Sequence, residues 1–159
     1  MPPLHPAFVH FPIALVVFSL VTDVLGRVFN KATLTAAGFW ALVGALIMGA
    51  ITAITGYYDF TRDTLGETAR YADFHMDVGL VLVGCVIALT LWRWLAYGRR
   101  GTTPGALYLV AALIVAGLTL FQGWYGGEMV YSQGAGVAAA SKGTEPPQNG
   151  KQRLDKVTR

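Results

Sequence analysis

The chain has 159 residues, of which 54% are hydrophobic and only 13% are charged. Soluble domains carry about 25% charged residues, so this composition is typical of a membrane protein and argues against an ordinary soluble enzyme. The formal net charge is +3, but five of the twelve lysines and arginines follow Ala140. The charge therefore does not indicate nucleic-acid binding.

Four apolar stretches, taken in chain order, are long enough to cross a bilayer. They cover residues 11–29, 36–58, 75–97 and 104 to about 125. A helical span needs about 20 predominantly apolar residues. Because the connections are short, the sequence predicts an all-α integral membrane protein, an up-and-down four-helix bundle formed by residues 1–137.

The two ends of the chain differ in composition from the four spans. Residues 138–159 are rich in Gly, Pro and charged residues without apolar periodicity, which predicts a disordered polar tail. The opening "MPPLHP" contains no basic residue. We therefore expect the first span to be retained as a helix and not to be cleaved as a secretory signal.

Basic residues predict the orientation in the membrane. The first and third loops with their flanks carry Arg27, Lys31, Arg93, Arg99 and Arg100, whereas the second loop has an acidic excess. Lys and Arg near the ends of spans favour the cytoplasmic side. We expect both termini to face outward, into the periplasm of a bacterial inner membrane.

One carboxylate, Asp23, lies deep in the first span, and Arg27 follows four residues later. This spacing places the two side chains on one helical face. The sequence favours a surface pair in which Arg27 snorkels to the interface, in preference to a proton relay.

The histidines collect at the predicted outer end. His10 precedes Pro12, which is best accommodated in a first helical turn, and Pro6 indicates a preceding turn or short helix. His75 opens the third span at a similar depth. The first and third helices are diagonal in such a bundle, on the order of 12–14 Å apart. This gap suits a haem with His10 and His75 as its two axial ligands.

Further residues at this end suit the same cofactor. The cysteine motif for covalent haem attachment is absent, so a bound haem would be of b type. The candidate partners of the haem propionates are Tyr57, Tyr131, Arg62 and Arg70, and the glycines that leave room for the flat macrocycle are Gly56 and Gly127, with Gly126 beside it.

Two alternatives remain open for the histidines. A Zn or Cu site would use His5, His10 and His75, with Glu128 as a further candidate ligand, because imidazole binds all of these metals. Alternatively, the histidines are interfacial residues of a structural anchor subunit of a respiratory complex.

The segment "YYDFTRDTLGETARYADFH" between the second and third spans carries alternating charges. This pattern is typical of a solvated amphipathic segment on the membrane surface. The functional alternative is a cover over the outer pocket or a docking surface for a basic redox partner.

Four motifs in this order, "HPAFVHFPIAL", "GYYD", His75 and "GGEMVYSQGAGV", resemble a bacterial family of four-span membrane proteins grouped as a domain of unknown function. The resemblance covers about residues 4–137. It implies a module found beside or fused to c-type cytochromes and other redox proteins. The positions that match the recurrent pattern of the family are His5, His10, Asp59, His75, Gly126, Gly127, Tyr131 and Gly134. Gln133 stands where related sequences often have histidine, so the resemblance favours one haem over two.

Together these features predict a membrane-bound electron-transfer subunit. No nucleophile with a base, phosphate-binding loop or HExxH motif is present, so an independent enzyme is not expected. The expected partners are the lipid bilayer and a c-type cytochrome or respiratory complex, with a quinone as a further candidate.

Overall fold

A computed structural model describes residues 4–62, 69–98 and 102–132. Its helices are α1 (His5–Phe8), α2 (His10–Val28), α3 (Ala32–Arg62), α4 (Ala69–Tyr97) and α5 (Ala106–Tyr131). The predicted all-α fold is confirmed. The disordered tail that was predicted for residues 138–159 lies outside the described residues, as does Gln133.

Local backbone chemistry explains several helix boundaries. Pro6 lies in the first turn of the short α1, and α2 then begins at His10, as the two prolines of this segment predicted. Asn30 (φ 52°) and Gly98 (φ 66°) have left-handed backbone conformations just after α2 and α4. Asn and Gly adopt this conformation most readily, so they terminate these helices.

The four long helices form an antiparallel ring. Leu15 packs near Gly44 of α3, and the site of a Cβ on Gly123 of α5 would lie 2.8 Å from Ile13. The helices contact one another in the order α2, α3, α4, α5 and back to α2. α2 and α4 are therefore diagonal, as predicted. The short α1 packs on α3 and α2.

This arrangement defines two ends. We call the end with the first turns of α2 and α4 and the last turns of α3 and α5 the histidine end, because it carries His5, His10 and His75. The opposite end is the arginine end, because it carries Arg27 and Arg93.

The core fills the space between the helices with branched and small apolar side chains. Its central members are Val16, Leu42, Ala45, Leu82, Val86, Leu89, Tyr108, Ala112, Val115 and Ala116. Small residues such as Ala45 and Ala112 allow close contact between helices. In a membrane, where the hydrophobic effect does not drive helices together, association depends on this close van der Waals packing.

Four described helices are long and apolar enough to cross a membrane. Their outward faces are also apolar, with Ile54, Leu95 and Leu107 among the most exposed side chains. A bundle whose outer surface is apolar is suited to contact with lipid. The membrane class and the four spans predicted from hydropathy are confirmed.

The charged segment between the second and third spans differs from the prediction. α3 continues to Arg62 and α4 already begins at Ala69. Most of the supposed surface segment is therefore an extension of the two spanning helices. The charged residues within the described helices, such as Asp59 and Asp73, are compatible with helix and lie where α3 ends and α4 begins.

Candidate functional site

His5 is held on α3 by two hydrogen bonds. Its backbone N–H donates to Oδ2 of Asp59 at 2.7 Å, and its ring Nδ1 lies 3.0 Å from the carbonyl oxygen of Thr52. A Cβ on Gly56 would lie 2.7 Å from Nδ1. The glycine therefore lets the imidazole lie directly against the α3 backbone.

These bonds also determine which ring nitrogen of His5 is available. The Thr52 carbonyl can only accept, so Nδ1 carries the proton of the neutral ring. Nε2 then retains its lone pair. Histidines that bind metals are usually oriented in this way, with the other ring nitrogen donating to a carbonyl or carboxylate.

His75 lies in the second turn of α4 and packs against α5. Its ring stacks on Tyr125 with the centroids 6.2 Å apart and the planes 12° apart. A Cβ on Gly126 would lie 2.9 Å from Cε1 of the imidazole. The side-chain amide of Gln122 donates to the His75 backbone carbonyl. Thus α5 positions both the ring and the backbone of His75.

The rings of His5 and His75 make a T-shaped edge contact. Their centroids are 5.9 Å apart and their planes are nearly perpendicular, at 88°. The two side chains are contributed by α1 and α4, and both are half-buried. The structure therefore brings together two imidazoles from distant parts of the chain at the histidine end.

His10 occupies a different environment. It is the first residue of α2 and is exposed. The sequence predicted that His10 and His75 would form the central pair. The structure instead pairs His75 with His5, because α1 packs on α3 and places His5 against Thr52 and Asp59.

The residues proposed as propionate partners lie at the histidine end but are peripheral. Tyr57 is 62% exposed and Tyr131 is 91% exposed. Arg70 is exposed, with its guanidinium carbon 5.7 Å from the ring centroid of Tyr71. Arg62 is the last residue of α3, and its side chain lies outside the described part of the structure. Their role as propionate partners stays a prediction.

The two glycines predicted to make room for a macrocycle behave differently. Gly56 lies against the His5 ring, as described above. A Cβ on Gly127 would meet no heavy atom within 4 Å, whereas Gly126 contacts His75 directly. Glu128 is exposed. The close glycine contacts of the site therefore involve Gly56 and Gly126.

A conventional metal-ion site needs more ligands than this pair supplies. Structural zinc sites use four protein ligands and catalytic ones use three. Within residues 4–62, 69–98 and 102–132, no group of three His, Cys, Asp or Glu side chains is arranged to hold a metal. The described donors amount to two imidazoles.

A second polar cluster, at the arginine end, was missed by the sequence prediction. Arg93 is fully buried and its Nη2 donates to Asp23 Oδ1 at 3.0 Å and to the Thr35 carbonyl at 2.9 Å. Nη1 donates to the Thr102 carbonyl at 2.9 Å. The predicted pairing of Asp23 with Arg27 is wrong, since Arg27 donates to the Pro104 carbonyl instead.

Two observations in the sequence would have indicated this pair. Arg93 follows an uninterrupted apolar run in the third predicted span, and Asp23 is the acidic residue of the first. Charged side chains within spans face the interior of a bundle and pair with one another. The network clamps the segment before α5 to α2, α3 and α4, so its geometry explains a structural role.

The fold and the two clusters define a four-span membrane protein with a two-histidine site near one end and a buried ion pair near the other. The chain belongs to the family described as predicted membrane protein (DUF2231), whose model matches residues 1–139. The resemblance noted in the sequence is thus confirmed. No curated protein and no solved structure matches the chain.

Proposed function

We propose that this protein is a membrane-bound electron-transfer subunit that holds one b-type haem between His5 and His75. The observation that carries the proposal is the 5.9 Å separation of the two imidazole centroids, with one ring from α1 and the other from α4. This pairing keeps the function expected from the sequence but replaces His10 with His5 as an axial ligand.

The separation agrees with the size of a shared metal centre. With a metal–nitrogen bond of about 2.0 Å and roughly 1.1 Å from nitrogen to ring centroid, two imidazoles on opposite sides of one ion have centroids roughly 6.2 Å apart. The observed 5.9 Å is close to this value. The perpendicular planes are compatible with axial ligation, because each ring can rotate about its own metal–nitrogen bond.

The hydrogen bonding of His5 and the glycines beside both rings suit ligand histidines. The hydrogen bond from His5 to the Thr52 carbonyl leaves Nε2 free to bind. Gly56 and Gly126 each allow one ring to lie against a helix backbone, where a Cβ would clash. The backbones of α3 and α5 therefore set the positions of the two rings. Because Gly56 and Gly126 have no side chains, they leave space beside each imidazole.

The number of ligands favours haem over zinc or copper. A porphyrin supplies four nitrogens itself, so two imidazoles complete the coordination of its iron. A zinc site would need one or two further protein ligands. The described residues offer two histidines without a third His, Cys, Asp or Glu suitably placed. A Zn or Cu protein using His5, His10 and His75 is therefore the weaker proposal.

A bis-histidine haem exchanges single electrons, and its axial ligands and surroundings set the potential. The chain would contribute ligand binding, ring orientation and exclusion of water by its apolar helices. The haem would be bound without covalent attachment, because Cys85 is the single cysteine of the chain. We propose a carrier or a subunit of a respiratory assembly and not an independent enzyme.

We further propose that the histidine end faces the periplasm of a bacterial inner membrane, with both termini outward. Arg27 and Lys31 are exposed near the arginine end, and Arg99 and Arg100 follow α4 in sequence. This distribution supports a cytoplasmic location of the arginine end. Arg93 is not counted among the basic residues that set the orientation, because it is buried in an ion pair with Asp23. A c-type cytochrome would then meet the histidine end from outside.

The proposal is tested by a reduced-minus-oxidised optical spectrum of protein purified in mild detergent from haem-replete bacterial cells. We expect a b-type spectrum in the wild type and in His10→Ala, and its loss in His5→Ala and His75→Ala. Helix content and elution volume of each variant report whether it is folded. A colourless wild type, or loss of the spectrum in His10→Ala alone, would contradict the proposal.

A structural anchor makes a different prediction in the same experiment. Its histidine variants would have the spectrum of the wild type, and deletion of the chain would instead disrupt a partner complex. The two proposals are therefore separated by the spectra of the His5 and His75 variants.

A further inference from the structure

Unpartnered polar atoms surround the histidine pair. Among the described residues, the buried side-chain atoms without a hydrogen-bond partner include Thr52 Oγ1, His75 Nδ1 and Gln122 Oε1. These residues belong to one chain of contacts. The Thr52 carbonyl contacts the His5 ring, that ring contacts His75, and Gln122 donates to the His75 carbonyl. Three polar atoms without partners thus belong to residues that are connected through the histidine pair.

Thr52 shows that this arrangement is not general in the bundle. The hydroxyl groups of Thr22, Thr90 and Thr119 each donate to a carbonyl in the preceding turn of their own helix. Thr52 is 8% exposed, yet its hydroxyl has no such bond. An unpaired hydroxyl in an apolar environment is unfavourable, so a polar ligand is expected to contact it.

Gln122, on the opposite side of the bundle, also has a buried polar atom without a hydrogen-bond partner. It is also 8% exposed, and its amide nitrogen is bonded while its oxygen is not. An amide oxygen can only accept a hydrogen bond. A ligand that pairs with all three atoms would offer a donor to Gln122, as well as an acceptor or donor to Thr52 and His75.

Small residues lie where α4 and α5 meet beside the histidine pair. Gly79 lies opposite Gln122, and Gly126 lies opposite His75. Both glycines are half-buried, so small residues from both helices line the seam between α4 and α5.

Aromatic rings continue from the seam to the surface of the bundle. Tyr125 is stacked on His75, Phe121 lies 6.1 Å from Tyr125, and Trp124 lies 5.8 Å from Phe121. Trp124 is 63% exposed. Flat rings favour stacked or edge contacts with other aromatic systems. The aromatic surface beside the unpartnered atoms is therefore suited to contact with a flat ring.

We propose that the site formed by Thr52, His75 and Gln122 binds the headgroup of a lipid-soluble quinone that enters between α4 and α5. The carbonyl oxygens of the oxidised ring accept hydrogen bonds from a hydroxyl or an imidazole N–H. The hydroxyl groups of the reduced ring donate to Gln122 Oε1. The ring itself packs against the aromatic side chains. An ordered water would satisfy the same polar atoms but would gain nothing from the aromatic surface.

The function of this quinone as electron partner of the haem rests on the proposed function. Binding of the headgroup does not, since it depends on hydrogen-bonding groups and rings of this chain alone. The experiment below therefore measures binding directly, and a haem spectrum recorded on the same sample reports on the proposed function separately.

The full-length protein in nanodiscs is photolabelled with an azidoquinone, and the labelled residues are mapped by mass spectrometry. We expect label on α4 and α5 around His75 and Gln122, and competition by a short-chain quinone that saturates. Thr52→Val should weaken competition by the quinone roughly tenfold, and Gln122→Leu should weaken competition by the corresponding quinol, which alone carries a donor for Gln122 Oε1, by a similar factor, the usual effect of losing one buried hydrogen bond. Thr90→Val is the matched control, because the Thr90 hydroxyl is bonded within α4.

Two results would overturn the proposal. One is labelling that spreads over the lipid-facing helices and is not competed by excess quinone. The other is competition by both the quinone and the quinol that is equal in the wild type, Thr52→Val and Gln122→Leu, which is expected if water alone occupies the site. Saturable labelling of a sample without a haem spectrum would support the quinone site and contradict the proposed function.

Discussion

Replacement of Arg93 by Met tests the buried ion pair at the arginine end. Arg93 is 0% exposed and Asp23 is 1% exposed, so neither charge is solvated by water. Met has a long unbranched side chain like that of Arg but no guanidinium group, so the substitution removes three hydrogen bonds, to Asp23, Thr35 and Thr102. It also leaves a buried carboxylate without its partner. Breaking such a pair costs about 3–5 kcal/mol.

Replacement of the partner residue, Asp23→Asn, is expected to destabilise the protein less. Arg93 would keep both backbone carbonyl acceptors, and the new amide would still offer an oxygen. We expect a loss of about 1–3 kcal/mol. The double variant removes both charges, so its loss should be smaller than the sum of the two single losses by about 1–3 kcal/mol.

These values are measured by reversible unfolding in mixed micelles, with helix content followed as denaturing detergent is added. Arg70→Met is the control, because Arg70 is an exposed arginine and such changes usually stay within about 0.5 kcal/mol. A loss below about 1 kcal/mol in Arg93→Met, or strictly additive losses in the double variant, would refute a charged, mutually dependent pair.

Two further substitutions test the histidine end. Gly126→Ala introduces a Cβ 2.9 Å from His75 Cε1, so the ring must shift and we expect a lower haem content. Gly127→Ala is the control: its Cβ has no neighbour within 4 Å, so its haem content should match that of the wild type. Equal haem content in the two variants, measured per protein, would contradict this. Asp59→Ala removes the acceptor of the His5 N–H, so hydrogen exchange across α1 should rise roughly tenfold, and Asp59→Asn, which keeps an oxygen, should preserve most of the protection. Indistinguishable exchange in both Asp59 variants would show that this bond does not hold α1.

The architecture was predictable from the sequence because its causes are local. Twenty or more consecutive apolar residues require a spanning helix, and short connections require neighbouring helices to be antiparallel. The short α1 was also predictable, since Pro6 and Pro12 limit where helices can begin. The exact extent of α3 and α4 was not, because hydropathy marks the edge of the membrane and not the end of a helix.

The histidine partner was not predictable from helix depth. His10 and His75 both lie near the first turn of diagonal helices, but depth does not specify the direction of a side chain. The direction of His5 depends on contacts between α1 and α3, which bring it to Asp59 and Thr52. Such contacts join residues far apart in sequence, so they cannot be predicted from local spacing.

The Asp23–Arg93 pair shows a related limit. Spacing of four residues predicted a surface pair of Asp23 and Arg27, but Asp23 is buried and pairs with Arg93 of another helix. The general rule that charges within a membrane bundle pair inside it would have identified Arg93. Here the physics of burial was more informative than local periodicity.

The most direct measurement of the shared-haem claim is the electron paramagnetic resonance spectrum of the oxidised, purified wild-type protein, together with its His10→Ala variant. Two nearly perpendicular imidazoles, as His5 and His75 are placed, predict a highly anisotropic low-spin ferric signal in both samples. The same signal should be missing from His5→Ala. A high-spin signal in the wild type, no haem signal at all, or a low-spin signal that survives in His5→Ala would contradict ligation by His5 and His75.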